Sequence, residues 1–262
     1  MQTYQFQPSS VTISGPPTGI IFSTTFDDAN FPDRRPGEHW RQSDGLSDSA
    51  VGQPNDGIAG YGAWVAVEPD RIVTDANNPS GGGGKGFRHF HGDGVNVNSG
   101  GIRISWPPRP EVWLRYYIRF QLGFMWSSQI NMKTIYFNQN SPGAFYFGLH
   151  QNSVGGVRGG TVIHHSNIHW EDWMGGPTAD GNWHKLEVHA KMESSFGSMD
   201  GVFEFKLNDS LIYSNLATSF GNNAGDMFDH SLIGSNANAP ANGQIMFVDY
   251  DDIALSDSGW VG

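Results

Sequence analysis

The chain has 262 residues, with 35 glycines, 14 prolines, no cysteine, 13% aromatic residues and a net charge of −11. An acidic chain without a lysine or arginine cluster argues against nucleic acid as a partner, since it offers no row of cations to a phosphate backbone. The lack of cysteine excludes disulfide staples and thiolate metal sites; no apolar run approaches about 18 residues, so no membrane insertion is expected.

Residues 1–20 alternate weakly around Gly15-Pro16-Pro17 and read as an N-terminal strand or arm. They lack a basic segment followed by an apolar one, so a signal peptide is not expected in this chain. Residues 27–84 are loop-rich, punctuated by Asp-Asp, Pro-Asp and Asn-Asp-Gly, with one short strand over 63–67. From Gly86 onward the strand signals become regular. Strands are expected over 86–91, 101–106 (ending at Pro107-Pro108), 112–122, 132–138, 144–150, 161–169, 184–192, 202–207, 211–213 and 245–255. No stretch keeps helical apolar spacing behind an N-cap, so helix is expected to be minor. Many short strands without a 20–50-residue repeat predict one all-β domain over residues 1–262, built as a two-sheet antiparallel sandwich.

Alternation assigns faces within several strands. Leu186, Val188, Ala190 and Met192 read as core against Lys185, Glu187, His189 and Lys191, and Phe203, Phe205 and Leu207 oppose Glu204, Lys206 and Asn208. In 112–122 the core side is Leu114, Tyr116, Ile118 and Phe120, and the other side carries Trp113, Arg115, Tyr117, Arg119 and Gln121. Interleaved aromatics and cations suit a sugar-binding face. Pyranose rings present C–H patches to aromatic planes and hydroxyls to charged hydrogen-bonding groups.

Three segments carry a family resemblance: Asn182-Trp183-His184-Lys185-Leu186-Glu187-Val188, Asp200-Gly201-Val202-Phe203-Glu204-Phe205, and Asp249-Tyr250-Asp251-Asp252-Ile253-Ala254-Leu255. With Trp113-Leu114-Arg115-Tyr116-Tyr117-Ile118-Arg119-Phe120, they resemble concanavalin A-like jelly rolls, nearest to polysaccharide lyases of the heparin lyase I type. The resemblance implies a jelly-roll sandwich and β-elimination on an acidic polysaccharide, with an extracellular or cell-surface location.

Such a reaction needs a base for the proton α to a uronate carboxylate, an acid for the leaving oxygen, and cations or amides against the carboxylate. The catalytic candidates are Arg115, Tyr117 and Arg119 on one strand face, and Tyr146 and His150 on another. Lys133 and Asn138 are candidate substrate-binding residues, on opposite faces of their strand if it is unbroken. The Gln-x-His pair of the family lyases is not intact: His150-Gln151 places its members on opposite faces. His89 and His91 share a strand face about 7 Å apart, and Trp173 in a glycine-rich stretch suits a sugar platform; all three are further substrate-binding candidates. A structural calcium is implied by the resemblance, through Asp27, Asp28, Asp251 and Asp252; no organic cofactor is expected. The expected partner is a polysaccharide or glycan, and the oligomeric state is not fixed by the sequence. Two alternatives stand beside the lyase: a non-catalytic glycan-binding module and a structural or adhesion subunit of a virion or cell surface.

Overall fold

A computed structural model describes residues 19–26, 62–65, 71–81, 84–90, 102–124, 132–139, 144–151, 157–163, 167–171, 180–221, 223–233 and 246–262. Among them lie fifteen strands and one 3-10 turn, Thr74–Ala76, with no α-helix. In chain order the strands are β1 (Ile20–Thr24), β2 (Gly62–Val65), β3 (Arg71–Val73), β4 (Gly86–Phe90), β5 (Ile102–Arg109), β6 (Glu111–Phe120), β7 (Met132–Gln139) and β8 (Ala144–Gln151). Then follow β9 (Val157–Ile163), β10 (Asn167–Glu171), β11 (His184–Lys191), β12 (Gly201–Leu207), β13 (Ser210–Thr218), β14 (Phe228–Ile233) and β15 (Phe247–Ser256).

They form two antiparallel sheets, the jelly-roll sandwich expected from the sequence. One sheet has the order β13-β12-β11-β6-β15-β4-β3, with β1 paired to β15, and the other has the order β10-β9-β8-β7-β14-β5-β2. The core is what alternation predicts. Leu114, Tyr116, Ile118, Phe120, Leu186, Val188, Ala190, Phe203 and Phe205 are fully buried, joined by Val248 and Tyr250 of β15 and Ile233 of β14. Each such side chain contributes roughly 1.5–3 kcal/mol by leaving water, so these strands fix which side of the larger sheet faces inward.

Strand β15 lies at the centre of its sheet. Up to Tyr250 it pairs with β4, and from Ile253 it pairs with β1. A register shift against β6 between Asp251 and Ala254 marks the exchange, with Asp252 at φ +49°. The turn after Ala76 supports this bulge. The Asn78 amide N–H donates to Asp251 Oδ2 (2.7 Å), and Asn78 Nδ2 donates to Asp252 Oδ2 (2.8 Å). A Cβ at Gly81 would lie 1.5 Å from Asp252 Oδ2, so glycine is required there.

Four features depart from the sequence expectation. The single strand over 161–169 is the hairpin β9–β10, and β13 runs to Thr218 instead of ending at Tyr213. Strand β14, whose Asp229-His230 breaks the apolar pattern, sits mid-sheet between β5 and β7. Strand β5 continues through Pro107 and Pro108. Proline is tolerated there because β2 pairs with β5 only as far as Ser105, and β14 is bulged between Phe228 and His230.

Candidate functional site

The sequence candidates divide between the two sheets. Arg115, Tyr117 and Arg119 stand on β6 of the eight-stranded sheet; Lys133, Asn138, Tyr146 and His150 stand on β7 and β8 of the seven-stranded sheet. A groove shared by Arg119 and His150 is therefore not formed. Strand parity is local, whereas sheet membership depends on pairings far away in sequence, so alternation alone left the two groups joined.

The outward side of the eight-stranded sheet is roofed. Asp249, fully buried, receives Arg88 Nε (2.7 Å) and Arg119 Nη2 (2.6 Å), and Arg119 also donates to the Asp75 carbonyl. Arg119 lies 4.8 Å above the Trp183 ring. Farther along β6, Arg115 Nη1 donates to the Gly262 carbonyl at 2.8 Å, and the Gly262 N–H donates to buried Glu187 (3.0 Å). His189 stacks on Trp113 at 4.3 Å, and its two ring nitrogens each meet a carboxylate at 2.9 Å, from Glu204 and Glu111. Trp260 closes over this cluster, with Lys206 Nζ 3.8 Å from its ring. The chain's own C-terminal segment thus covers the Arg115 end of the face that the sequence offers to sugar. Tyr117 stands between the two arginines, 5.9 Å from the Arg115 guanidinium.

Register defines the outward side of the seven-stranded sheet. Ser231 and Ile233 are fully buried, so the opposite parity of β14, that of His230 and Leu232, faces away from the core. His230 pairs with Asn138 of β7 and Ser105 of β5, and Leu232 pairs with Tyr136 and Arg103. Tyr136 pairs in turn with Tyr146, and Tyr146 with Val162. A register shift between Lys133 and Ile135 leaves Thr134 outside the pairing and sets Lys133 opposite Gly148, on the parity of Tyr146 and His150. Lys133 and Asn138 therefore share one face, because the strand is broken. His150 pairs with Arg158, and Gly148 with Gly160.

By register, Lys133, Tyr146, His150 and Arg158 occupy neighbouring positions of one parity about Gly148 on β7, β8 and β9, and Tyr136, Asn138, His230 and Arg103 continue that parity toward β5. Adjacent strands lie about 4.8 Å apart and alternate residues about 7 Å, so Lys133 sits diagonal to both Tyr146 and His150. His230 Nδ1 is 2.5 Å from Asp229 Oδ1. This arrangement can supply a base, an acid and several cations. Arg158 and His230 were missed because strands β9 and β14 were cut short or overlooked. Arg103 was legible in the alternation Ile102-Arg103-Ile104-Ser105.

The remaining candidates fall elsewhere. His89 is fully buried on β4, stacked against Phe87 at 6.3 Å, and offers no surface to a sugar. His91, Trp173, Asp27 and Asp28 lie outside the described residues. Asp251 and Asp252 are buried, and three of their four carboxylate oxygens already accept N–H groups: two from Asn78, and the Asp252 amide on Asp251 Oδ1 (2.8 Å). Among the described residues no group of three or more acidic or histidine ligands converges, and the other two expected calcium ligands, Asp27 and Asp28, lie outside them.

No family model matches the chain, and no curated protein does. Solved structures do. Alginate lyase Aly36B matches with a TM-score of 0.53 and 16% identity, covering 70% of this chain and 86% of that one. The endo-β-1,4-glucuronan lyase of the fungus Trichoderma reesei matches at 0.56 and 13%, covering 74% and 90%. Alginate lyase vAL-1 from Chlorella virus matches at 0.57 and 9%, covering 75% and 93%. At these identities the likeness shows the fold, a jelly roll shared with polysaccharide lyases. None of the three is named as a heparin lyase.

Proposed function

We propose that this chain is a polysaccharide lyase that cleaves an acidic polysaccharide by β-elimination on the outward face of the seven-stranded sheet. The carrying observation is the register that collects Lys133, Tyr146, His150 and Arg158 around the Gly148 position. In a uronate the proton at C5 is α to the carboxylate and the glycosidic oxygen at C4 is β to it. Removing the proton develops charge on the carboxylate; collapse then breaks the C4–O bond and leaves a C4–C5 double bond. His150 or Lys133 is suited to take the proton and Tyr146 to return one to the leaving oxygen. Arg158 is suited to the carboxylate, where charge grows most.

The local cations, against the net charge of the chain, support the acidic substrate. A chain of net charge −11 repels a polyuronate at long range, so binding needs local cations, and Arg103, Lys133 and Arg158 supply three on this face. Solved relatives in fold add support: one variant of Aly36B, with a lysine and a tyrosine replaced by alanine, was captured with an alginate tetrasaccharide. Uronate polymers are met outside the cell, so an extracellular or cell-surface location belongs to this proposal.

Incubation with alginate and glucuronan, followed by the ultraviolet absorbance of the unsaturated product, tests the reading. A rise that His150→Ala abolishes is expected. Binding without any absorbance rise would instead favour a glycan-binding module, the second reading, which the broken Gln-x-His pattern at His150-Gln151 favours.

A further inference from the structure

Seven large apolar side chains stand exposed among the described residues, and six of them belong to one edge of the eight-stranded sheet. Leu211, Ile212 and Leu216 are on β13, which ends its sheet and among the described strands pairs with β12 alone. Phe196 and Met199 lie in the β11–β12 loop, and Gly201, where that loop ends, pairs with Thr218 of β13. Met227 lines a cavity with Phe196 and Gly221 at the same end. The seventh, Leu122, stands apart beyond the end of β6. Tyr213 opposes Phe205 and packs on the core, which anchors the strand; register shifts on either side of 213–215 leave Leu211, Ile212 and Leu216 outside it.

Charge, proline or shortness commonly keeps a sheet edge from pairing with another chain. Strand β13 has none of the three: it is nine residues long and carries no charged residue or proline, whereas β3, β2 and β10, which end the other paths, have three, four and five residues. The charges at its two ends are engaged within the chain, Asp209 by Lys185 and Glu193 by Ser219, Phe220 and Gly221. On a chain of net charge −11, a second copy approaches most closely where charge is absent.

We propose that this edge is the interface of a homodimer, with β13 antiparallel to β13 of a second copy across a two-fold axis. At roughly 200 Å² for a fully exposed large side chain, the fractional exposures of the six amount to about 600 Å² of apolar surface. That is at the upper end of what a monomer leaves in one patch, about 300–600 Å². With the polar residues between them, it approaches the about 800 Å² per partner of a stable dimer. Centred on Ser214, in the regular stretch between the two bulges, the pairing sets Ile212 against Leu216 of the second copy. Such a match is self-complementary and closes after two chains.

Sedimentation equilibrium over about 1–100 μM tests the interface on the unmodified chain, Leu211→Lys, Leu216→Lys and the control Leu122→Lys, with circular dichroism to confirm folding. The unmodified chain and Leu122→Lys are expected to dimerise, more tightly as salt screens the repulsion between two acidic copies. Each β13 lysine places like charges across the axis and is expected to raise the dissociation constant about tenfold or more, with the far-ultraviolet spectrum unchanged. A monomer throughout that range, a dimer that both β13 lysines leave within twofold, equal disruption by Leu122→Lys, or assembly that continues past two chains would overturn the proposal. If a lysine variant does not fold, hydrogen exchange of 210–218 in the unmodified chain decides in its place: slowing on concentration supports the dimer, and no change overturns it.

Discussion

On the outward side of the eight-stranded sheet, Arg88 and Arg119 share the buried carboxylate of Asp249, and Trp260 seals His189 beneath the C-terminal segment. On the outward side of the seven-stranded sheet, Lys133, His150 and Arg158 surround two glycines. Both faces carry cations and aromatics, and the first had the more persuasive sequence pattern. On the first, the described contacts show those groups engaged within the chain itself. The Arg119 guanidinium, held through Nε and Nη2 by a buried carboxylate and the Asp75 carbonyl, ties the turn at 74–76 to β6 and β15.

That contrast can be broken from either side. The largest effect is expected from Lys133→Ala and His150→Ala, each lowering turnover of a uronate polymer by about 10²- to 10⁴-fold with little change in melting temperature. Arg119→Met is expected to do the reverse, lowering the urea midpoint while leaving the turnover of the folded fraction unchanged. Equal damage to turnover from Arg119→Met would erase the distinction. Next in size is Asp249→Ala, which leaves two arginines facing each other without their shared carboxylate; a loss of about 3 kcal/mol in urea unfolding is expected. Removal of residues 260–262 strips Glu187, Arg115 and His189 of their cover and is expected to cost about 1–2 kcal/mol.

A smaller effect sharpens the edge of the same sheet. At Asp180, burial pushes the carboxyl up, but the Asn182 N–H and neighbouring His184 outweigh it and hold the group down at about 2. A depressed carboxyl stabilises the fold above its unfolded value near pH 4, and that contribution disappears as pH falls toward 2. Asp180→Asn is therefore expected to lower stability at pH 7 by under about 1 kcal/mol, given the exposure of the site. Acid unfolding curves of the two proteins should converge near pH 2.

The core and the two-sheet architecture were legible because burial imposes a period of two, seen in 111–120 and 201–207; in 184–191 it survives only in residue polarity, since Glu187 and His189 are buried on the other side as well. The site was legible only in pieces. Tyr146 and His150 share a parity that any unbroken strand would give them. Lys133 joined them only through the bulge at Thr134, which no residue pattern announces and which reverses the face of everything before it. Arg158 was not legible because the strand expected over 161–169 begins after Gly159-Gly160, whereas β9 starts at Val157 and runs through that pair. The cover over Arg115 and Arg119 depends on Asp75 and Gly262, contacts more than forty residues away along the chain, and a strand pattern carries no trace of them.

The most direct measurement is hydrogen exchange of the unmodified chain with and without alginate tetrasaccharide, read by segment. Slowed exchange in 132–163, with 111–120 and 184–191 unchanged, is the result expected if the face bearing Lys133, Tyr146 and His150 holds the sugar. Protection centred on 111–120, or none in any segment, would contradict it.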